Sequence, residues 1–301
     1  MACSAGCQAS PTPLGAWRPT EAQLALVGAE RGVTGWHRDV VVRCPEAESF
    51  AEIESPDLRQ PCEVLILEGE RLVPTAIPDA YAAERLAGDA VLVVERHGTL
   101  VARRRDGTLI RALDVAVSEA HASEDGLRAA YVRDVPGTSA TTGDLSTEIV
   151  IVSVSTGAIV RVVADPNASH PRLLPGGADD VLYVSRRSGQ EALWRASPSG
   201  TPVQLTNTDG GPGPWGRRYE LLDRVPGSDA TWLSDASDPT LLAWGELYGE
   251  PHAYLFHADG RPPYRLGRGL FPRQLDDGSL AAVERSPEGS VRVHRLDGAH
   301  R

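Results

Sequence analysis

The sequence predicts an all-β chain, a single six-bladed β-propeller of four-stranded blades closed by a strand from the N-terminus. Three observations point there. Pairs of alternating apolar and polar runs recur around a glycine turn. The turns return at intervals that suit a propeller blade. A second kind of turn, followed by a strand, precedes most of the pairs.

The pairs come in order along the chain. "EVLILEGERLVPTAI" bends at Gly69, "LVARRRDGTLIRAL" at Gly107 and "EIVIVSVSTGAIVRVV" at Gly157. "LWRASPSGTPVQLT" bends at Gly200, "AYLFHADGRPPYRLG" at Gly260 and "SVRVHRLDGAHR" at Gly298. Each run has the period of two that a half-buried strand requires, and each bend carries a residue that tolerates positive φ. The turn glycines lie 38, 50, 43, 60 and 38 residues apart, around the ~40–50 residues of a four-stranded blade. The second turn appears as "ASEDGLRAAYV" (122–132), "LLPGGADDVLYV" (173–184), "WLSDASDPTLLAW" (232–244) and "QLDDGSLAAVE" (274–284), with "LAGDAVLVV" (86–94) a weaker copy. Each unit therefore reads strand, turn, strand, loop, strand, tight turn, strand. A blade cannot bury both faces alone, so six units imply one ring. The last unit lacks an outer strand, and "AQLALVGAE" (22–30) has no blade of its own. Pairing it beside 290–296 would close the ring and cover an exposed edge. Only Tyr81–Leu86 and part of 45–58 suit short helical turns. Residues 1–20 read as a flexible tail and 21–301 as the propeller.

Composition narrows the function classes. The chain has 301 residues, 41% of them hydrophobic, with a formal net charge of −11 and arginine as its only basic residue besides histidine. Nucleic acid and anionic membrane both need local positive potential, which the chain lacks. No apolar run approaches the ~20 residues of a membrane helix. The start, "MACSAGCQASPTPLG", resembles a mature bacterial lipoprotein, with Cys3 or Cys7 as the lipidated residue. The alternative is a terminus with two incidental thiols. Cys44 and Cys62 flank "PEAESFAEIESPDLRQP". In an exported protein they would pair as a disulfide, and in a cytosolic one they would be buried thiols.

Residues 169–207, "SHPRLLPGGADDVLYVSRRSGQEALWRASPSGTPVQLTN", resemble a blade of the TolB-type six-bladed propellers. Pro171, Leu174-Pro175-Gly176-Gly177, Arg187-Ser188-Gly189, Leu193-Trp194, Ser199-Gly200 and Gln204-Leu205-Thr206 hold the places of that repeat. "FPRQLDDGSLAAVERSPEGSVRVHRLDG" (271–298) and "SEDG" (123–126) repeat the scheme. The match is good over about 115–298 and weak over 30–113. TolB carries an α/β domain ahead of its propeller, whereas about twenty residues precede the first strand here, so the resemblance concerns the propeller alone. It implies a ligand- or protein-binding role in the bacterial cell envelope, in the periplasm or at the outer membrane. The partner would be an envelope protein or a small ligand. Membrane contact would come only through an N-terminal lipid, and a monomer is expected.

Motifs for common chemistries are missing. The chain has no G-x-S-x-G, no H-E-x-x-H, no P-loop, no G-x-G-x-x-G and no EF-hand loop. No catalytic residue, cofactor or local metal motif is predicted. A propeller hydrolase or lactonase holding calcium through residues scattered over several blades leaves no local signature, and it stands as the alternative, with a glycan or small-molecule sensor as a third reading. Aligning the blades on the second turn brings together Glu119, His170, Asp229 and Phe271, and two residues later His121, Arg172, Thr231 and Arg273. On innermost strands these form two rings near one channel mouth, as binding residues or as bonds between blades. The insertion "TDGGPGPWGRRYELLDRVPGSD" (208–229) offers Trp215, Arg217, Arg218 and Tyr219, residue types enriched at binding hot spots. Trp194 and Trp244 lie in strands and read as core.

Overall fold

A computed structural model describes residues 11–44, 62–78, 80–135, 146–176, 179–188, 192–205, 231–233, 239–247, 250–259, 264–286 and 288–296. They form six antiparallel sheets, the blades of a six-bladed propeller. Helix α1 (Glu21–Ala29) precedes blade one, which comprises β1 (Val33–His37), β2 (Val40–Arg43), β3 (Glu63–Glu68) and β4 (Arg71–Pro74). Blade two comprises β5 (Ala80–Leu86), β6 (Ala90–Glu95), β7 (Leu100–Arg104) and β8 (Leu109–Asp114). Blade three comprises β9 (Val117–Ala122), β10 (Arg128–Asp134), β11 (Thr147–Ser153) and β12 (Ile159–Ala164). Blade four comprises β13 (Ala168–Leu173), β14 (Val181–Ser185), β15 (Ala192–Ala196) and β16 (Val203–Gln204). Blade five comprises β17 (Thr231–Leu233), β18 (Thr240–Leu247), β19 (Glu250–His257) and β20 (Tyr264–Arg268). Blade six comprises β21 (Leu270–Gln274), β22 (Leu280–Arg285) and β23 (Val291–Arg295). "LWRASPSGTPVQLT" is the β15–β16 hairpin of blade four.

Burial follows strand position. Middle strands such as β6 and β11 bury four or more consecutive residues, because blades pack face to face and both sides are covered. Outer strands such as β8 and β12 are mostly exposed or half-buried. The innermost strands β1, β5, β9 and β13 touch one another in turn around the axis. Each carries a register irregularity near its start, as does β21. Such bulges re-aim side chains. His170 (φ 50) and Phe271 (φ 48) sit within two of them.

The closing element differs from expectation. Segment 22–30 does not form a strand beside 290–296; it belongs to α1, and among the described residues blade six has three strands. The local reason is a capping box. The Thr20 hydroxyl accepts the Gln23 N–H, and the Gln23 side chain accepts the Thr20 N–H. Alanine, leucine, glutamate and glutamine then favour the helix. At the far end Arg285 donates to the carbonyls of Gly28 and Glu30, at 2.8 and 2.6 Å, groups a helix terminus leaves open. Leu24 and Val27 are fully buried in one cluster with Trp36 and Val41 of blade one and Phe271 and Val283 of blade six. Burying each side chain contributes about 1.5–3 kcal/mol. The ring is thus closed by a helix wedged between its last and first blades. Gly28 makes the approach possible, since a Cβ there would lie 2.6 Å from Val283 Cγ1.

One smaller expectation also changes. Tyr81–Leu86 is strand β5, not helix. The whole of 45–58, where the other helical turn was expected, lies outside the described residues. Cys44 and Cys62 form a disulfide. Trp194 is buried in the core between blades three and four, and Trp244 lies in β18.

Candidate functional site

Four of the aligned residues meet in the channel, around a fifth that the alignment missed. Glu84 on β5 is 1% exposed. One carboxylate oxygen lies 2.7 Å from His121 Nδ1, and the other accepts the Ala122 N–H at 2.7 Å. Arg172 Nη1 approaches Glu84 at 3.4 Å. Glu119 lies one layer nearer the strand starts. Its Oε1 is 2.9 Å from His121 Nε2 and 2.7 Å from His170 Nδ1, and its Oε2 accepts the His170 N–H at 2.7 Å. His121 thereby bridges two carboxylates, one at each ring nitrogen. The left-handed backbone of His170 lets its ring and its N–H reach the same carboxylate. Blades two, three and four are latched together through one polar lattice.

The electrostatics are those of a lattice of fixed charges. Burial alone would raise the Glu84 pKa, but the surrounding His and Arg side chains outweigh it and hold the carboxyl at about 2. Burial acts the same way on Glu119, and His170 and His121 pull it well below the usual carboxylate range. His37, at the end of β1, is lowered to about 4, chiefly by burial. Its Nδ1 accepts the Arg85 N–H at 3.0 Å, so its 4.0 Å approach to Glu84 is a contact with a neutral ring, not an ion pair.

The remaining predicted residues separate. Arg273 is buried on the opposite side of the channel. Its guanidinium stacks 4.4 Å above the Trp36 ring and donates to the Trp36 carbonyl at 2.7 Å. Phe271 turns into the core between blades six and one and not into the channel. Asp229, Trp215, Arg217, Arg218, Tyr219, Cys3 and Cys7 lie outside the described residues. Among the described residues no three His, Cys, Asp or Glu side chains are grouped so as to hold a metal ion, and no helix is long and apolar enough to cross a membrane.

At the end of the channel where the inner strands turn, a pocket of about 30 Å³ is lined by Trp17, Trp36 and Trp232, by Arg18, Arg38 and Arg273, and by Glu124. A space of that size holds about two water molecules. Arg38 of blade one reaches Glu124 of blade three at 3.3 Å, tying two distant blades across the opening. Burial pushes the Glu124 carboxyl up, against the pull of Arg38. Residues 16–19 form the outer wall of the pocket, so the chain's own N-terminal segment covers this mouth.

No protein-family profile matches the chain, and no curated protein matches it in sequence. Solved structures do share its architecture. One is oligogalacturonate lyase from Vibrio parahaemolyticus, with TM-score 0.50 and 11% identity over 80% of this chain and 69% of that one. Another is TolB from Acinetobacter baumannii, with TM-score 0.50 and 15% identity over 82% of this chain. This chain spans 59% of that TolB. At such identities the likeness concerns the fold. The chain has the TolB-like six-bladed propeller fold.

Proposed function

We propose that the protein is a non-enzymatic binding propeller of the bacterial cell envelope, engaging an envelope protein at the channel mouth where Trp36 and Trp232 lie beneath Trp17. The observation behind this reading is the condition of the channel's ionisable groups. A general acid or base works best with a pKa near the operating pH. Glu84 and Glu119 are held far below neutrality by contacts that join blades, and His37 is held neutral chiefly by burial. Tryptophan and arginine, the residues of binding hot spots, gather instead at the mouth. In this reading Glu119, His121, His170 and Arg172 brace the channel beneath the mouth, and Arg273 supports Trp36 in its rim. Asp229 and the loop residues Trp215, Arg217, Arg218 and Tyr219 are proposed as additional contacts. The Cys44–Cys62 disulfide favours an oxidising compartment, and lipidation at Cys3 or Cys7 would tether the propeller to a membrane.

The test is photo-crosslinking in bacterial cells from Gln274, in the pocket wall, and from Thr108, on the outer rim. A heavier adduct containing an envelope protein is expected from the first position and not the second. Absence of a Gln274-specific adduct would overturn the reading. So would turnover of oligogalacturonate or a lactone by purified protein that Glu119→Gln abolishes.

A further inference from the structure

Residues 11–17, ahead of α1, show burial that repeats every three residues, before half-buried Arg18 and buried Pro19 lead into the helix. Pro11, Leu14 and Trp17 are half-buried, while Thr12, Pro13, Gly15 and Ala16 are exposed. Strands repeat every two residues and α-helices every 3.6. A period of three belongs to polyproline II, which has three residues per turn and a solvated backbone. Prolines at 11, 13 and 19 fix φ near the value that conformation needs. Thr20 sits in the same region, at φ −75 and ψ 163.

The half-buried face lies along the channel mouth. Pro11 rests against Gly88 in the β5–β6 turn, and Leu14 against Gly126 in the β9–β10 turn. Trp17 meets Trp36 edge-on, with ring centroids 6.2 Å apart. Gly126 has positive φ, and a Cβ there would lie 2.7 Å from Leu14 Cδ1 and 2.4 Å from the Ala87 nitrogen. Three polar contacts address main chain. Leu14 N–H donates to the Asp125 carbonyl at 2.9 Å, Asp276 N–H donates to the Pro19 carbonyl at 3.1 Å, and the Arg38 guanidinium donates to the Gly15 carbonyl. Slots spaced by three, together with bonds to backbone, describe a receptor for a polyproline II peptide.

We propose that the groove across this mouth, from blade three to blade six, is a docking site for a proline-rich segment of an envelope protein, and that the chain's own residues 11–19 occupy it in the unbound state. This rests on the reading that the mouth is the binding face. The occupant is displaceable. Of residues 11–19 only Pro19 is buried, whereas the helix that follows is capped and anchored by fully buried Leu24 and Val27. Thr20 is the pivot. A segment tethered this closely acts at an effective concentration on the order of millimolar, so a free peptide competes poorly until the strap is loosened.

The probe is a fluorescent peptide of residues 11–20, PTPLGAWRPT, titrated into the full chain. The variant L14A/W17A should bind it at least tenfold tighter than the unaltered chain. A peptide with its Leu and Gly exchanged, which breaks the spacing of three, should bind at least tenfold weaker. Equal binding by both proteins, indifference to the exchange, or no binding to a variant with an unaltered melting curve would overturn the proposal. Should L14A/W17A melt differently, Leu14→Asp alone, outside the core clusters, carries the same comparison. Peptide binding without a Gln274 crosslink would leave the groove standing and overturn the envelope-binding reading. A crosslink without peptide binding would do the reverse.

Discussion

Replacing Glu84 with alanine is expected to lower the unfolding free energy by about 3–5 kcal/mol, the usual result of removing one partner from a buried charge cluster. Glu84 faces His121 and Arg172, and it accepts the Ala122 N–H. Without it those donors stay buried beside a cavity, and blades two, three and four lose their common acceptor. In a chain of this size each kcal/mol moves the midpoint by roughly 2–4 °C, so thermal melts should fall by about 10 °C. Glu84→Gln keeps the volume and one acceptor and should fall between the variant and the parent. Glu119→Ala should cost less than Glu84→Ala, because the Glu119 side chain is 20% exposed and water can replace part of what it supplies. A melt of Glu84→Ala that matched the parent would show the lattice to be incidental.

Acid should unfold the protein in two overlapping stages. His37 has its folded pKa lowered from 6.5 to about 4. Between those values the unfolded chain binds the proton that the folded one refuses, so stability falls as pH drops from about 6.5 to about 4. Glu84 has its folded pKa lowered from 4.5 to about 2. Its contribution is complete above the unfolded value and disappears as pH falls from about 4.5 to about 2. Glu119, shifted in the same direction, adds to that second stage. In both stages the unfolded state holds more protons, so stability rises with pH throughout. Denaturant midpoints measured from pH 7 to pH 3 should decline steadily, with a shallower decline above pH 4.5 when His37 is replaced by Asn. A midpoint independent of pH across that range would contradict the assigned environments.

The ring was legible because its outer hairpins repeat. Strands that bury one face alternate, and their tight turns need particular residues. The inner hairpins are a different matter. Blades three to six turn through longer loops with a recognisable pattern, and aligning them brought Glu119, His121, His170 and Arg172 to one place. Blade one turns directly from His37 to Val40, and blade two from Leu86 to Ala90. Blade one leaves no room for the pattern and blade two carries only its weaker copy, 86–94, so His37 and Glu84 stayed out of an alignment of the four clearest blades although Glu84 is the centre of the site. The available signal was a lone glutamate within an otherwise weakly polar run, "AYAAERLAG". The closing helix was misread because Leu24 and Leu26 alternate with alanine, which suits a strand as well as a helix. The Thr20–Gln23 capping box was the deciding feature. The strap was invisible as an element, since prolines spaced along an apparent tail gain meaning only beside Gly88, Gly126 and Trp36.

The central claim is that the channel's charges join blades and leave recognition to the mouth. A double-mutant cycle between Glu119 and His170, across the seam of blades three and four, tests it most directly. Glu119→Ala, His170→Gly and the double variant would be compared by urea unfolding at pH 7, glycine being chosen because position 170 has positive φ. A coupling energy of about 1–3 kcal/mol is predicted, within the range for residues in one hydrogen-bonded network. Additive effects, within roughly 0.5 kcal/mol, would contradict it.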